Sequence, residues 1–166
     1  PSVSSIVARS YGLHSNIANI QGDMLQHAVY RIKTQLGISD DSYSHSDEHP
    51  IFGTGQGSSS SPSIWTLYCS KSFDIYDNHC FGAKYTSPDR TKELKLGMTG
   101  FVDDNNAQTT GRPNESEADI TQRCTHDAQL WHDILWATGG ALDGSKCSYQ
   151  YMRFDLSTPG TPYHRH

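Results

Sequence analysis

A run of alternating residues that ends in four turn-forming residues constrains the fold most. Leu94, Leu96 and Met98 alternate with polar or small residues, which is the period of a β-strand with one buried face. The run ends in the sequence DDNN at 103–106, and aspartate and asparagine both favour turns. The polar segment 107–110 is then expected to return as the second strand. The stretch predicts a β-hairpin with two adjacent carboxylates at its tip.

The parity of this strand separates the two carboxylates. If the even-numbered residues face the core, Asp103 lies on the open face and Asp104 follows the buried parity, unless a bulge at Gly100 changes the phase. Two like charges this close repel, and a raised pKa or a bound divalent cation with oxygen ligands relieves the repulsion. The alternative is that the four residues form a solvated turn without a ligand.

Three helical segments accompany the hairpin. Apolar residues recur every three or four positions over 17–36, and Gly37 is a suitable C-terminal stop. A second helix is expected to start at Ser61 as N-cap, with Pro62 at the first helical position. The third helix is ended by the glycine pair 139–140. Its apolar stripe consists of Ile120, Cys124, Ala128, Trp131, Ile134 and Leu135.

The order of these segments predicts an α+β fold. With 166 residues, of which 34% are hydrophobic, the chain is long enough for one domain with a core and too short for two sizeable ones. The acidic, serine-rich segment 38–50 is expected to be a surface loop. Residues 146–154 alternate like a further strand. We therefore expect a small antiparallel sheet that carries the hairpin, with helices packed on one face.

Charge and cysteine usage limit the function classes. The net charge of -5 and the pI near 5.9 argue against the broad basic field of many nucleic-acid binders. No apolar run reaches the roughly 18 residues of a membrane span, so we expect no membrane association. The four cysteines form no Cys-x-x-Cys pair, which predicts free thiols without disulfides, in an intracellular compartment that can be nucleus or cytoplasm. His126 and His132 are six residues apart on different helix faces, so we expect no histidine metal site.

Three motifs together resemble those of reverse transcriptases. The segment GTGQGSSSSP at 53–62 resembles the Gln-Gly-Ser…Ser-Pro element of that family. The sequence FVDD at 101–104 is similar to its aromatic-x-Asp-Asp catalytic hairpin. The segment GGAL at 139–142, followed by Lys146, is similar to its Gly-Leu…Lys element. All three occur in the family's order, so the chain resembles the palm domain of an RNA-directed DNA polymerase.

The resemblance implies the catalytic residues. Asp103 and Asp104 would hold magnesium, two ions in the complete site, and two ions can stabilise both the attacking and the leaving oxygen in nucleotidyl transfer. Asp103 is the better candidate for direct ligation, and Asp104 either ligates or tunes the site. Lys146 would approach the triphosphate and protonate the pyrophosphate leaving group. The alternative for Lys146 is a solvated surface charge.

The resemblance also implies binding residues. Gln56, Gly57 and Ser58 would contact the nucleotide or the template, because glycines let a ligand approach the backbone and the amide both donates and accepts. The alternative is a flexible, serine-rich connector. Phe101 would pack against the nascent base pair or sugar, and the alternative is a phenylalanine in the core.

One family feature has no counterpart in this sequence. Reverse transcriptases use a third carboxylate on a strand upstream of the glutamine element, and the acidic residues before that element lack strand context: Asp23, Asp40, Asp41 and Asp47. We therefore expect 1–166 to be a single partial reverse transcriptase domain, truncated at the N-terminus and at the C-terminus, and inactive alone. The full-length protein, encoded by a mobile element, would use an RNA template, a DNA or RNA primer and dNTPs.

Two other functions stay open from the sequence. An RNA-dependent RNA polymerase palm shares the double aspartate, but it more often has glycine where this chain has Val102. A non-catalytic relic or interaction domain would keep the palm architecture without the chemistry. The upstream aspartate in the full-length gene would argue against this last possibility.

Overall fold

The computed structural model describes residues 2–49, 59, 61–101, 104–112, 114–157 and 161–165. Within these residues the chain forms four α-helices, ten short strands and one 3-10 turn, so its α+β class is confirmed. The helices are α1 (Ser2–Ser10), α2 (Ser15–Gln26), α3 (Ser61–His79) and α4 (Glu117–Ala137), and the 3-10 turn is Gly144–Lys146.

The described strands pair two by two, and all five pairs are antiparallel. The predicted single small sheet is therefore replaced by five separate ribbons in this part of the chain. The pairs are β1 (Val29–Tyr30) with β4 (Tyr43–Ser44), β2 (Lys33–Thr34) with β3 (Gly37–Ile38), β5 (Ala83–Thr86) with β6 (Glu93–Leu96), β7 (Met98–Phe101) with β8 (Asp104–Ala107), and β9 (Arg153–Ser157) with β10 (Thr161–Arg165).

Two of the three predicted helices are confirmed, and the first is shorter than expected. Helix α3 begins at Ser61 and α4 ends just before the glycine pair 139–140. Helix α2, however, ends at Gln26 instead of continuing to Leu36. The chain after it turns into strands because residues 29–30 pair with residues 43–44, which lie later in the chain. Tyr30 of β1 stacks on Tyr43 of β4, with ring centroids 5.2 Å apart.

The predicted strand over 94–98 is broken at Gly97. Strand β6 pairs with β5, and β7 pairs with β8. Gly97 is buried against α3, where a Cβ would lie 2.7 Å from Cys80 Sγ. The predicted buried face is right for Met98 and wrong for Leu94, whose side chain is 63% exposed.

The hairpin is confirmed, but its second strand begins earlier than expected. Phe101 pairs with Asp104, and Gly100 pairs with Asn105. The asparagine pair 105–106 therefore lies in strand β8 and not in the turn. The residues that connect the two strands, 102–103, lie outside the described part of the chain. The last strand, predicted over 146–154, begins later, since β9 starts at Arg153.

A small core joins α3, α4, β7 and the segment after α4. Its buried members are Tyr76, Cys80, Met98 and Trp131, and the partly buried residues against them are Phe73, Leu130, Ile134, Leu135 and Leu142. The Trp131 ring makes an edge contact with the Tyr76 ring, with centroids 5.8 Å apart. Such aromatic pairs add about 0.5–1.5 kcal/mol to the burial of their surface. This core is the support on which the hairpin lies.

The four cysteines are free thiols: Cys69, Cys80, Cys124 and Cys147. Among the described residues, no helix combines the length and the apolarity needed to cross a membrane.

Candidate functional site

The hairpin of β7 and β8 lies on α3 because glycines let the backbone come close. A Cβ on Gly100 would lie 2.5 Å from Cζ of Phe73 and 2.8 Å from Oδ1 of Asn105. Met98, two residues before Gly100 in the same strand, is buried in the core. Close contact at Gly100 and burial of Met98 together fix the height of the hairpin above the helix. Larger residues would force the strand away from α3.

The exposed end of the hairpin presents an aromatic ring beside a carboxylate. Phe101 is 79% exposed, so the alternative that it belongs to the core is wrong. Asp104, its cross-strand partner, is also exposed. The Asp104 carboxylate forms no ion pair with the residues that the structure describes. A carboxylate is an oxygen donor of the kind that magnesium binds, and Asp104 is open to solvent.

Several predicted site residues lie outside the described part of the chain. They are Asp103, Gln56, Gly57 and Ser58. Within the described ranges, no group of three or more histidine, cysteine or acidic side chains could hold a metal ion. The roles of these four residues therefore stay predictions.

Lys146 belongs to the segment after α4, which is anchored to the core at Leu142. Leu142 packs against the core cluster that includes Met98 of β7. Four residues later, the Lys146 Nζ lies 3.8 Å from Oδ2 of Asp143 and its side chain is largely exposed. The N–H and the hydroxyl of Ser145 both donate to Asp143, and the hydroxyl bond is the main reason why the pKa of Asp143 lies below its ordinary range. Both partners of this ion pair are exposed, so it contributes little to the stability of the turn.

A buried carboxylate that the sequence analysis missed connects the segments around the hairpin. Asp127 of α4 is 1% exposed. It accepts hydrogen bonds from the N–H of Phe81 at 2.8 Å and of Gly82 at 3.1 Å, and from Oγ1 of Thr109 at 2.9 Å. His126 Nδ1 lies 3.3 Å from Oδ1. Asp127 thereby joins α4 to the α3–β5 connection and to the chain that leaves β8.

A sequence signal for Asp127 did exist. It lies three residues after Cys124 and four before Trp131, so it occupies the apolar stripe of α4. A charged residue in such a stripe is buried only when it is paired or hydrogen-bonded.

Lys95 ties β6 to the C-terminal end of α3. Its Nζ donates to the carbonyl oxygens of Asp77 and of Cys80, the latter at 2.8 Å. The last carbonyls of a helix have no partner within the helix, and the helix dipole also attracts a cation at this end. The lysine thus fixes the ribbon that precedes the hairpin.

Burial keeps two titratable core groups neutral. It is the largest cause that raises the pKa of Tyr76, and the Asp127 carboxylate raises it further. Burial likewise raises the pKa of the Cys80 thiol. A thiol whose pKa is raised is a poor nucleophile at neutral pH. The core therefore offers support to the hairpin and no nucleophile of its own.

Comparison of the chain with protein-family models, with curated proteins and with solved structures finds no match.

Proposed function

We propose that this chain is part of the palm domain of an RNA-directed DNA polymerase. One observation carries the proposal: the β7–β8 hairpin presents Phe101 and Asp104 at its exposed end while Gly100 and Met98 hold it on α3. A catalytic carboxylate has to be held rigidly and must still be open to its substrate. The hairpin meets both requirements.

The spatial relation of the three motifs supports the same proposal. Helix α3, which carries the hairpin, begins at Ser61, three residues after the Gln56-Gly57-Ser58 element. The segment that leads to Lys146 packs at Leu142 against the core that also contains the first hairpin strand. The described parts of two motifs, the first hairpin strand and Leu142 of the Gly-Leu…Lys element, thus meet at one core that α3 helps to form.

In this proposal the carboxylates Asp103 and Asp104 bind the catalytic ions, with Asp103 in direct contact. Magnesium ions bound there would stabilise the charge that develops on the attacking and leaving oxygens. The exposed ring of Phe101 packs against the sugar or base of the nascent pair. Lys146 donates a proton to the departing pyrophosphate.

The binding residues complete the proposed site. Gln56, Gly57 and Ser58 contact the incoming dNTP or the template strand, and the start of α3 adds backbone N–H groups that favour phosphate. The partners are an RNA template and a DNA or RNA primer. The third carboxylate that the chemistry needs is proposed to lie upstream of Pro1 in the full-length protein.

Primer extension tests the proposal. The coding sequence is extended upstream of Pro1, and the purified protein is incubated with a primed RNA template, dNTPs and magnesium. We expect extension that Asp103→Asn abolishes. The matched control is Asp133→Asn, an exposed aspartate on α4, which should leave the rate unchanged. Absence of extension by a folded protein that contains the upstream aspartate would contradict the proposal and favour a non-catalytic domain. Extension with NTPs alone would identify an RNA polymerase instead.

A further inference from the structure

The β5–β6 ribbon, which we define as residues 83–96, concentrates positive charge in an acidic chain. It contains four of the 13 lysine and arginine residues, while the whole chain has a net charge of -5. Only two acidic residues, Asp89 and Glu93, accompany them. The ribbon is thus locally basic, and it precedes the β7–β8 hairpin by a single residue, Gly97.

Hydrogen bonds within the protein already engage one of these cations, Lys95, and one of the acids, Asp89. Lys95 turns to the carbonyls at the end of α3. Asp89 turns into the ribbon's own loop, where it accepts from Oγ of Ser87 at 2.5 Å and from Oγ1 of Thr91 at 2.8 Å. Asp89 is therefore held by the loop and pairs with neither of the cations that follow it.

Three cations stay available on the ribbon. Lys84, Arg90 and Lys92 are exposed, and none forms an ion pair with the residues that the structure describes. Arg90 adopts a φ of 58°, a left-handed conformation that favours glycine. The backbone at residue 90 would be less strained with glycine. What arginine adds at this position is its charged side chain.

An exposed aromatic ring lies on the same ribbon. Tyr85 pairs with Leu94 across the strands, and cross-strand partners share one face. Both side chains are open to solvent, with Tyr85 46% exposed. The Tyr85 hydroxyl donates to Oε1 of Gln108 at 3.0 Å, which orients the ring. An exposed, oriented ring on the same ribbon as exposed cations is one arrangement by which proteins bind single-stranded nucleic acid.

We infer that the β5–β6 ribbon binds single-stranded nucleic acid, with Arg90 and Lys92 on phosphates and Tyr85 stacked on a base. This inference deepens the proposed function and rests on it, because a polymerase has to guide its template beside the catalytic hairpin. A single strand of nucleic acid carries phosphates and stackable bases on one flexible chain, so it can engage the cations and the ring together. We therefore take nucleic acid as the partner, and binding of anionic membranes is an outcome of the test below.

Fluorescence anisotropy of the 166-residue chain with labelled single-stranded RNA and DNA tests the inference. We expect Arg90→Gly with Lys92→Gln to weaken binding and to reduce the slope of log affinity against log salt by about 1.4, because each of the two cations neutralises one phosphate and a single strand contributes about 0.7 per phosphate. Glycine suits the backbone at residue 90, so this variant is expected to fold. The matched control is Arg31→Gln with Lys33→Gln, two exposed cations that lie outside the ribbon.

The ring has its own variant. Tyr85→Leu keeps an apolar side chain and removes the stacking surface, so we expect roughly tenfold weaker binding with an unchanged salt slope. If the ribbon variants bind as tightly as the control pair, the inference is wrong. It is equally wrong if they weaken binding only to vesicles of anionic lipid.

The outcome is separable from that of the polymerase assay. Ribbon-dependent binding without primer extension by the extended protein would leave this inference standing and contradict the catalytic proposal. Magnesium-dependent extension together with ribbon-independent binding would contradict this inference alone.

Discussion

Replacement of the buried carboxylate of Asp127 by an amide is the most informative test of how the hairpin is supported. In Asp127→Asn, one carboxylate oxygen becomes an NH₂ group. Whichever way the amide turns, an NH₂ donor then faces the backbone N–H of either Phe81 or Gly82, because these two N–H groups bind different oxygens. The Thr109 hydroxyl can rotate and accept a hydrogen bond from the new NH₂ group, but a backbone N–H can only donate.

The magnitude follows from these contacts. A buried donor without a partner costs about 1–3 kcal/mol, and the remaining hydrogen bonds lose the extra strength that a charged acceptor gives, about 1 kcal/mol each. Removal of a buried charge offsets part of this loss. We expect the free energy of unfolding to fall by roughly 2–4 kcal/mol, a large share of the about 5–15 kcal/mol typical of a domain.

Urea denaturation followed by circular dichroism at neutral pH measures the effect. Asp133→Asn is the control, because Asp133 lies on the same helix, is exposed and accepts from Gln129; its effect should stay within about 0.5 kcal/mol. If Asp127→Asn does not fold, Thr109→Val removes a single donor and should cost about 1–2 kcal/mol. Equal denaturation midpoints for Asp127→Asn and Asp133→Asn would refute the role of Asp127 as a connecting residue.

Three further predictions concern the hairpin, the core and α4. Gly100→Ala should lower the free energy of unfolding by about 1–3 kcal/mol, because the new Cβ meets the Phe73 ring of α3. The control is Gly144→Ala, where a Cβ has open space. Equal urea midpoints for the two variants would contradict the close packing. Among the described residues, the buried Tyr76 hydroxyl has no hydrogen-bond partner, so Tyr76→Phe should keep or raise thermal stability by up to about 1 kcal/mol, and a clear loss would reveal a partner. The Ser116 hydroxyl holds the pKa of Asp119 below its ordinary 3.8, so the stabilisation by Asp119 is complete above that pH and is lost as the pH falls through the lowered pKa; acid titration of Asp119→Asn should show a smaller loss of stability at low pH than the unmodified chain.

The parts of the fold that depend on local signals could be predicted from the sequence. The start of α3 lies within one residue of the local signal in Ser61 and Pro62, since proline favours the first turn of a helix. The stripe that ends in Trp131 and Leu135 also predicts α4. The hairpin follows from alternation and from turn-forming residues.

The parts that depend on distant contacts could not be predicted. Helix α2 ends early because residues near Tyr30 pair with a strand that lies later in the chain. The break at Gly97 depends on the surface of α3, and Asp127 has partners 18 to 46 residues away. None of these partners can be identified from spacing alone. The exposure of Phe101 likewise depends on where the hairpin lies.

The central claim is that Asp103 binds the catalytic metal ion, and a change of metal preference tests it most directly. Asp103→Cys in the upstream-extended protein replaces a carboxylate oxygen by sulfur, which binds magnesium poorly and binds softer divalent ions better. We predict that this variant loses primer extension with magnesium and regains it with manganese or cadmium, while the unmodified protein works with magnesium. Equal activity of the variant and the unmodified protein with magnesium would contradict direct ligation by Asp103.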